Sequence, residues 1–143
     1  MRKEIIFIFL VLNVASLIAQ DKGKIIVEIS GFRNNCGLAK VAIFNSAKGF
    51  PDCPDNALLK SKLKIINKTV TIEFSDLPFG FYAIGIIHDE NMNDIMDSNW
   101  NGIPKEGYAV SKNVTGYFGP PIYDDAKIEL KNQIQSIKII MIY

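Results

Sequence analysis

After residue 23 several runs of the chain alternate apolar and polar side chains with a period of two, without the 3.6-residue spacing of an amphipathic helix. Successive side chains of an extended strand point to opposite faces, so a period of two gives one face for a core and one for water. Ile25, Val27 and Ile29 lie on one face, with Glu28 and Ser30 opposite. Ala39, Val41 and Ile43 alternate again after the turn cluster Arg33-Asn34-Asn35-Cys36-Gly37, and the two runs read as a hairpin. Phe50 to Asp55 is broken by Pro51 and Pro54 and reads as loop; Asn56 to Lys60 has room for one helical turn. Val70, Ile72 and Phe74 form a half-buried strand, and Tyr82 to Ile87, apolar on both faces, a central strand covered on both sides. Ala126, Ile128 and Leu130, then Ile137, Ile139 and Met141, supply the last apolar faces. About seven short strands predict an all-β fold, a single antiparallel sandwich with one long loop region.

A chain of 143 residues suits one such domain. Lysine and arginine number 16 against 15 aspartate and glutamate, which gives no electrostatic footprint for nucleic acid. The start of the chain differs from the rest. Met1-Arg2-Lys3 is basic, Ile5 to Ile18 is apolar apart from Asn13 and Ser16, and Ala19 precedes polar Gln20-Asp21-Lys22. This is the layout of a secretory signal peptide over residues 1–19, with the domain occupying 20–143. The apolar run is about 14 residues, short of the ~20 that span a bilayer, so an integral membrane protein is not expected. The expected location is periplasmic or extracellular. In such an oxidising compartment Cys36 and Cys53 are candidates for a disulfide, with two free thiols the alternative.

Residues 88–125 are rich in asparagine, aspartate and glycine and have no period. A short strand near Tyr108 to Val114 is the one element expected there. Trp100, Tyr108, Tyr117, Phe118 and Tyr123 argue for order, and long ordered loops on a rigid scaffold commonly carry function. Asp89, Asn91, Asn93 and Asp97 fall at positions one, three, five and nine of a calcium loop, with the Ile95 carbonyl at seven. Alternate residues of a tight turn aim their oxygens at one centre, and a hard cation prefers oxygen. Two positions depart from the pattern. Asp94 stands where glycine is expected, and Trp100 where a bidentate glutamate is; Glu106 substitutes only if the chain folds back. The alternative is a turn whose Asx side chains cap their own backbone amides.

His88 is the sole histidine. Beside Asp89, Glu90 and Glu106 it invites a general-base reading, but no nucleophile motif or second zinc ligand accompanies it, so no catalytic residue is expected.

Asp76-Leu77-Pro78-Phe79-Gly80-Phe81-Tyr82-Ala83, His88-Asp89-Glu90-Asn91 with Asn93, and Gly102-Ile103-Pro104-Lys105-Glu106-Gly107-Tyr108 with Ser111 resemble the domain-of-unknown-function family 2141. Gly119-Pro120-Pro121, Asp124-Asp125-Ala126 and the terminal strand fit its later part, so the resemblance spans about residues 24–143. It implies an exported bacterial protein with a sandwich similar to transthyretin-like and carboxypeptidase-regulatory-like (Ig-like) domains. It implies no reaction, and its usual glycine after the second asparagine is Asp94 here.

Three functions follow as expectations. The first is a non-enzymatic binding or accessory module working through loop 88–125, with His88, Trp100, Glu106 and Tyr108 on its surface and a carbohydrate or cell-envelope protein as partner. The second is a structural module stabilised by calcium. The third is a hydrolase using His88 and the nearby carboxylates.

Overall fold

A computed structural model describes residues 21–143; the expected leader, residues 1–19, lies outside them. Eight strands and one helical turn follow in order: β1 Lys22–Ser30, β2 Leu38–Phe44, β3 Leu59–Lys64, β4 Val70–Pro78, β5 Gly80–Asp89, β6 Tyr108–Val110, α1 Tyr123–Ala126, β7 Ile128–Leu130 and β8 Ile134–Ile140. One sheet has the order β4-β1-β8, the other β3-β2-β5-β6 with β7 also pairing β5. The all-β sandwich expected from the period-two pattern is therefore present.

The apolar faces named from sequence meet between the sheets. Ile25, Val27, Ile29, Phe74 and Ile139 from one side pack with Ala39, Val41, Ile43, Tyr82, Ile84 and Ile86 from the other. β5 is covered on both faces, as its sequence implied. Its outer side carries Ala83, which joins Ala42, Phe44, Val110, Tyr123 and Ala126 in a second small core under the 45–57 and 114–126 segments.

Four expectations are corrected. β1 and β2 do not form a hairpin. β1 pairs with β4 and β8, β2 with β3 and β5, because the two apolar faces look at one core from opposite sides. The sheets are also not wholly antiparallel. The 131–133 turn carries the chain across the end of the sandwich, so β8 enters beside β1 in the same direction, with the Lys24 amide donating to the Gln133 carbonyl at 2.9 Å. Gly23 makes this crossing possible, since a Cβ there would stand 2.6 Å from the Asn132 carbonyl oxygen. The turn around residue 56 is a three-residue 3-10 turn, Pro54–Asn56, and Leu59 onward is strand β3. The fourth correction bears on function. β6 runs antiparallel to β5 and returns the chain along the sandwich, with Ile87 opposite Tyr108 and Gly85 opposite Val110. Residues 88–125 are thus two separate loops, 90–107 at the Asp89 end of β5 and 114–122 toward the Gly80 end, rather than one surface.

Candidate functional site

Adjacent residues of a strand face opposite ways, and the end of β5 shows the consequence. His88 points into the sandwich and is 0% exposed; Asp89 points outward and is buried beneath the loop that follows. The two cannot share a pocket. His88 Nε2 lies 2.8 Å from the Cys36 carbonyl oxygen, so that nitrogen carries the proton and donates. Nδ1, 2.7 Å from the Tyr143 hydroxyl, then accepts from it. The Tyr143 oxygen in turn accepts the Arg33 amide at 3.0 Å. Phe32 stands edge-on to the imidazole, 5.2 Å between ring centres. Every polar atom of this chain of contacts has a partner, and no lone pair of His88 is open to a substrate.

The neighbouring Gly107 is where the Tyr143 ring rests. A Cβ at that position would stand 2.4 Å from Tyr143 Cε1, so only glycine lets the ring reach His88. The Arg33 guanidinium covers the other side of the ring, 4.7 Å from its centre. Arg33 also pairs with Glu90, to which the Asn34 amide donates at 3.0 Å. Burial alone would raise the Glu90 carboxyl, but the hydrogen bonds from Asn34 and Arg33 and the Arg33 charge outweigh it and hold the group below the ordinary glutamate value. Burial pushes the Tyr143 phenol up.

Beyond Asp89 the chain turns on two residues in left-handed conformation, Met92 and Asp94, with φ of 59° and 67°. Asp94 therefore adopts the backbone that had called for glycine, which aspartate tolerates better than most residues. The Asp89 carboxylate accepts the amides of Asn93 at 3.1 Å and Asp94 at 3.0 Å. Asn93 Oδ1 accepts the Ile95 amide at 2.9 Å, and the Asn91 and Asn93 side-chain amides both donate to Asp97. The chain then doubles back through a bridge between Ser98 and Pro104. This brings buried Glu106 under the loop, where its two oxygens accept the amides of Glu90 at 2.9 Å and Asp97 at 3.2 Å. The side-chain oxygens of Asp89, Asn91, Asn93, Asp97 and Glu106 are thus taken up by amides of the same loop. Among the described residues no three His, Cys, Asp or Glu side chains form a group able to hold a metal ion.

Of the residues expected on a binding surface, only Trp100 stands fully in water, at 98% exposure. Glu106 and His88 are buried and Tyr108 is half-buried in β6, because each closes the structure beneath the loop. Met92 and Ile103, not expected on this surface, and Ile95, named from sequence only for its carbonyl, are exposed around the same loop. Ser111 is buried too: its hydroxyl accepts the Ile84 amide at 3.0 Å and donates to the Ala126 carbonyl at 2.7 Å, standing in for a strand where β6 ends. Arg33, Asn34, Lys40 and Tyr143 were missed, since each acts from a segment remote in sequence.

The expected disulfide is corrected as well. Cys36 and Cys53 are both free and exposed. Cys36 precedes the Leu38 end of β2, which pairs with Asp89, whereas Cys53 lies in the segment that packs over Gly85, opposite Ala42, where its Sγ accepts the Asn56 side-chain amide at 3.0 Å.

The family model "uncharacterized protein conserved in bacteria (DUF2141)" matches residues 27–138, well over half of the chain. The chain belongs to DUF2141. No curated protein and no solved structure matches it. The His-Asp-Glu-Asn and Gly-Ile-Pro-Lys-Glu-Gly-Tyr blocks of this DUF2141 chain meet on the two sides of the 90–107 loop, where Glu106 accepts the Glu90 amide and the Gly107 carbonyl the His88 amide. No helix among the described residues of this DUF2141 chain is long and apolar enough to cross a membrane.

Proposed function

We propose that this protein is an exported, non-catalytic binding module that engages a protein of the cell envelope through the 91–104 loop, with Trp100 as its anchor. The observation that carries the reading is a contrast within one loop. Its backbone is fastened from beneath by two buried carboxylates, Asp89 and Glu106, while Met92, Ile95, Trp100 and Ile103 are left in water. A fixed loop bearing exposed apolar side chains meets a partner with little ordering cost, and tryptophan and methionine are favoured at protein contacts. The non-catalytic part of the reading is supported by His88, whose two ring nitrogens are both engaged, and by Ser111, which is buried and doubly bonded.

The chain has one tryptophan, so its fluorescence reports on this loop alone. Residues 20–143 and their Trp100→Ala variant are to be co-sedimented with purified envelope fractions, untreated and protease-treated. The reading expects retention of the parent protein, a blue shift of its emission on binding, loss of both after protease treatment, and weak retention of the variant. Equal retention of the variant would reject Trp100 as the anchor. Survival of binding after protease would redirect the partner to an envelope carbohydrate.

A further inference from the structure

Lys40 stands on the outer face of β2, opposite Ile87 of β5 and Lys62 of β3. Its side chain passes beneath the 90–97 turn and is only 18% exposed. The ammonium nitrogen lies 2.9 Å from the Asp94 carbonyl oxygen, 3.3 Å from Asp94 Oδ1 and 4.0 Å from Asp89 Oδ2. One cation thus faces three oxygens of the turn, two of them from a single residue. The left-handed φ of Asp94 brings its carbonyl and its carboxylate round to the same point.

We propose that Lys40 is the resident cation of this turn: its ammonium compensates the buried Asp89 carboxylate and holds Asp94, and the order of the loop does not depend on divalent cations. Asp89 is almost fully buried, and a buried carboxylate is costly unless an opposite charge and hydrogen bonds compensate it. Lys40 is its only ion-pair partner among the described residues. An ammonium offers three donors and no acceptor, which suits a pocket made of oxygens alone. A divalent ion entering between Asp89 and Asp94 would meet that positive charge at close range and would have to expel it. Lys62 also reaches Asp94, but from the solvent side, where its attraction is screened.

The test is hydrogen–deuterium exchange, read by mass spectrometry over residues 90–97, for the parent protein in EDTA and in millimolar calcium chloride, and for Lys40→Met and Lys62→Met in EDTA. The Asn93, Asp94 and Ile95 amides of the parent are expected to be protected in EDTA and unchanged by calcium. Lys40→Met should speed their exchange about tenfold or more while the β2 and β5 amides keep their protection; Lys62→Met should change it less than threefold. Rapid exchange of the parent in EDTA that calcium slows tenfold would overturn the proposal. So would a Lys40→Met protein that exchanges like the parent. Should Lys40→Met fail to fold, the parent's response to calcium still decides. No partner enters this experiment, so its failure leaves the Trp100 reading standing.

Discussion

Removing one oxygen atom, by Tyr143→Phe, tests whether His88 is part of the scaffold. The ring stays against Gly107 and beneath Arg33, so packing changes little. Two hydrogen bonds are lost. The Arg33 amide is at an exposed position and can turn to water, at small cost. His88 Nδ1 cannot, since the imidazole is fully buried and Nε2 is held by the Cys36 carbonyl. A lost hydrogen bond of about 1 kcal/mol and a buried acceptor left without a donor, about 1–2 kcal/mol, together make about 2–3 kcal/mol. For a domain of this size each kcal/mol moves the midpoint by about 4 °C, so a fall in Tm of about 8–12 °C is expected. Urea unfolding should show the same loss with an unchanged slope. Trp100→Ala is the control, expected within about 0.5 kcal/mol of the parent because the indole touches little. A Tyr143→Phe protein as stable as that control would refute the structural reading of His88.

Other consequences follow from the same contacts. Glu106→Gln replaces one acceptor by an NH2 group facing a backbone amide, and should cost about 2 kcal/mol by thermal melting, with faster exchange at Glu90 and Asp97. Tyr82, Tyr123 and Tyr143 all have phenols raised by burial, so the folded state holds their protons more tightly than the unfolded chain. The stability they supply is complete below pH 10 and is lost as pH rises above it; chemical denaturation between pH 9 and 12 measures the fall. Glu90 is depressed, so its contribution is present above the ordinary carboxylate range and lost as pH falls through it, and Arg33→Ala should flatten that acid limb of the stability curve. Both cysteines should react with a thiol reagent in the native protein, giving two thiols per chain.

Much of the fold could be read from side-chain alternation, because the core faces of Ile25-Val27-Ile29, Ala39-Val41-Ile43 and Ile137-Ile139-Met141 need only a period of two. Pairing could not. Nothing local distinguishes a β1–β2 hairpin from two strands placed on opposite sheets; the choice depends on β4 and β8 arriving from elsewhere in the chain. β3 was hidden because Lys60, Lys62 and Lys64 make it an edge strand with a weak apolar face. Around the loop, the spacing from Asp89 to Asp97 marked a turn rich in oxygen acceptors, and the doubling back of the chain supplied Glu106. His88 and Ser111, residue types that catalysis can use, act here as hydrogen-bonding braces. The signal that would have separated the readings was alternation itself, since a histidine at the inward position of β5 faces the core. Exposure of Met92, Ile95 and Ile103 is set by the two left-handed residues and the Ser98–Pro104 bridge, which no pattern in the sequence announces.

The central claim is that the conspicuous polar residues at the end of β5 fasten a loop. The most direct measurement is the nitrogen-15 NMR spectrum of the imidazole, unambiguous in a chain with one histidine. A single tautomer with its proton on Nε2, a slowly exchanging ring N–H, and an Nδ1 resonance that moves in Tyr143→Phe are the result expected. A proton on Nδ1, or a ring that averages between tautomers and exchanges freely with water, would contradict it.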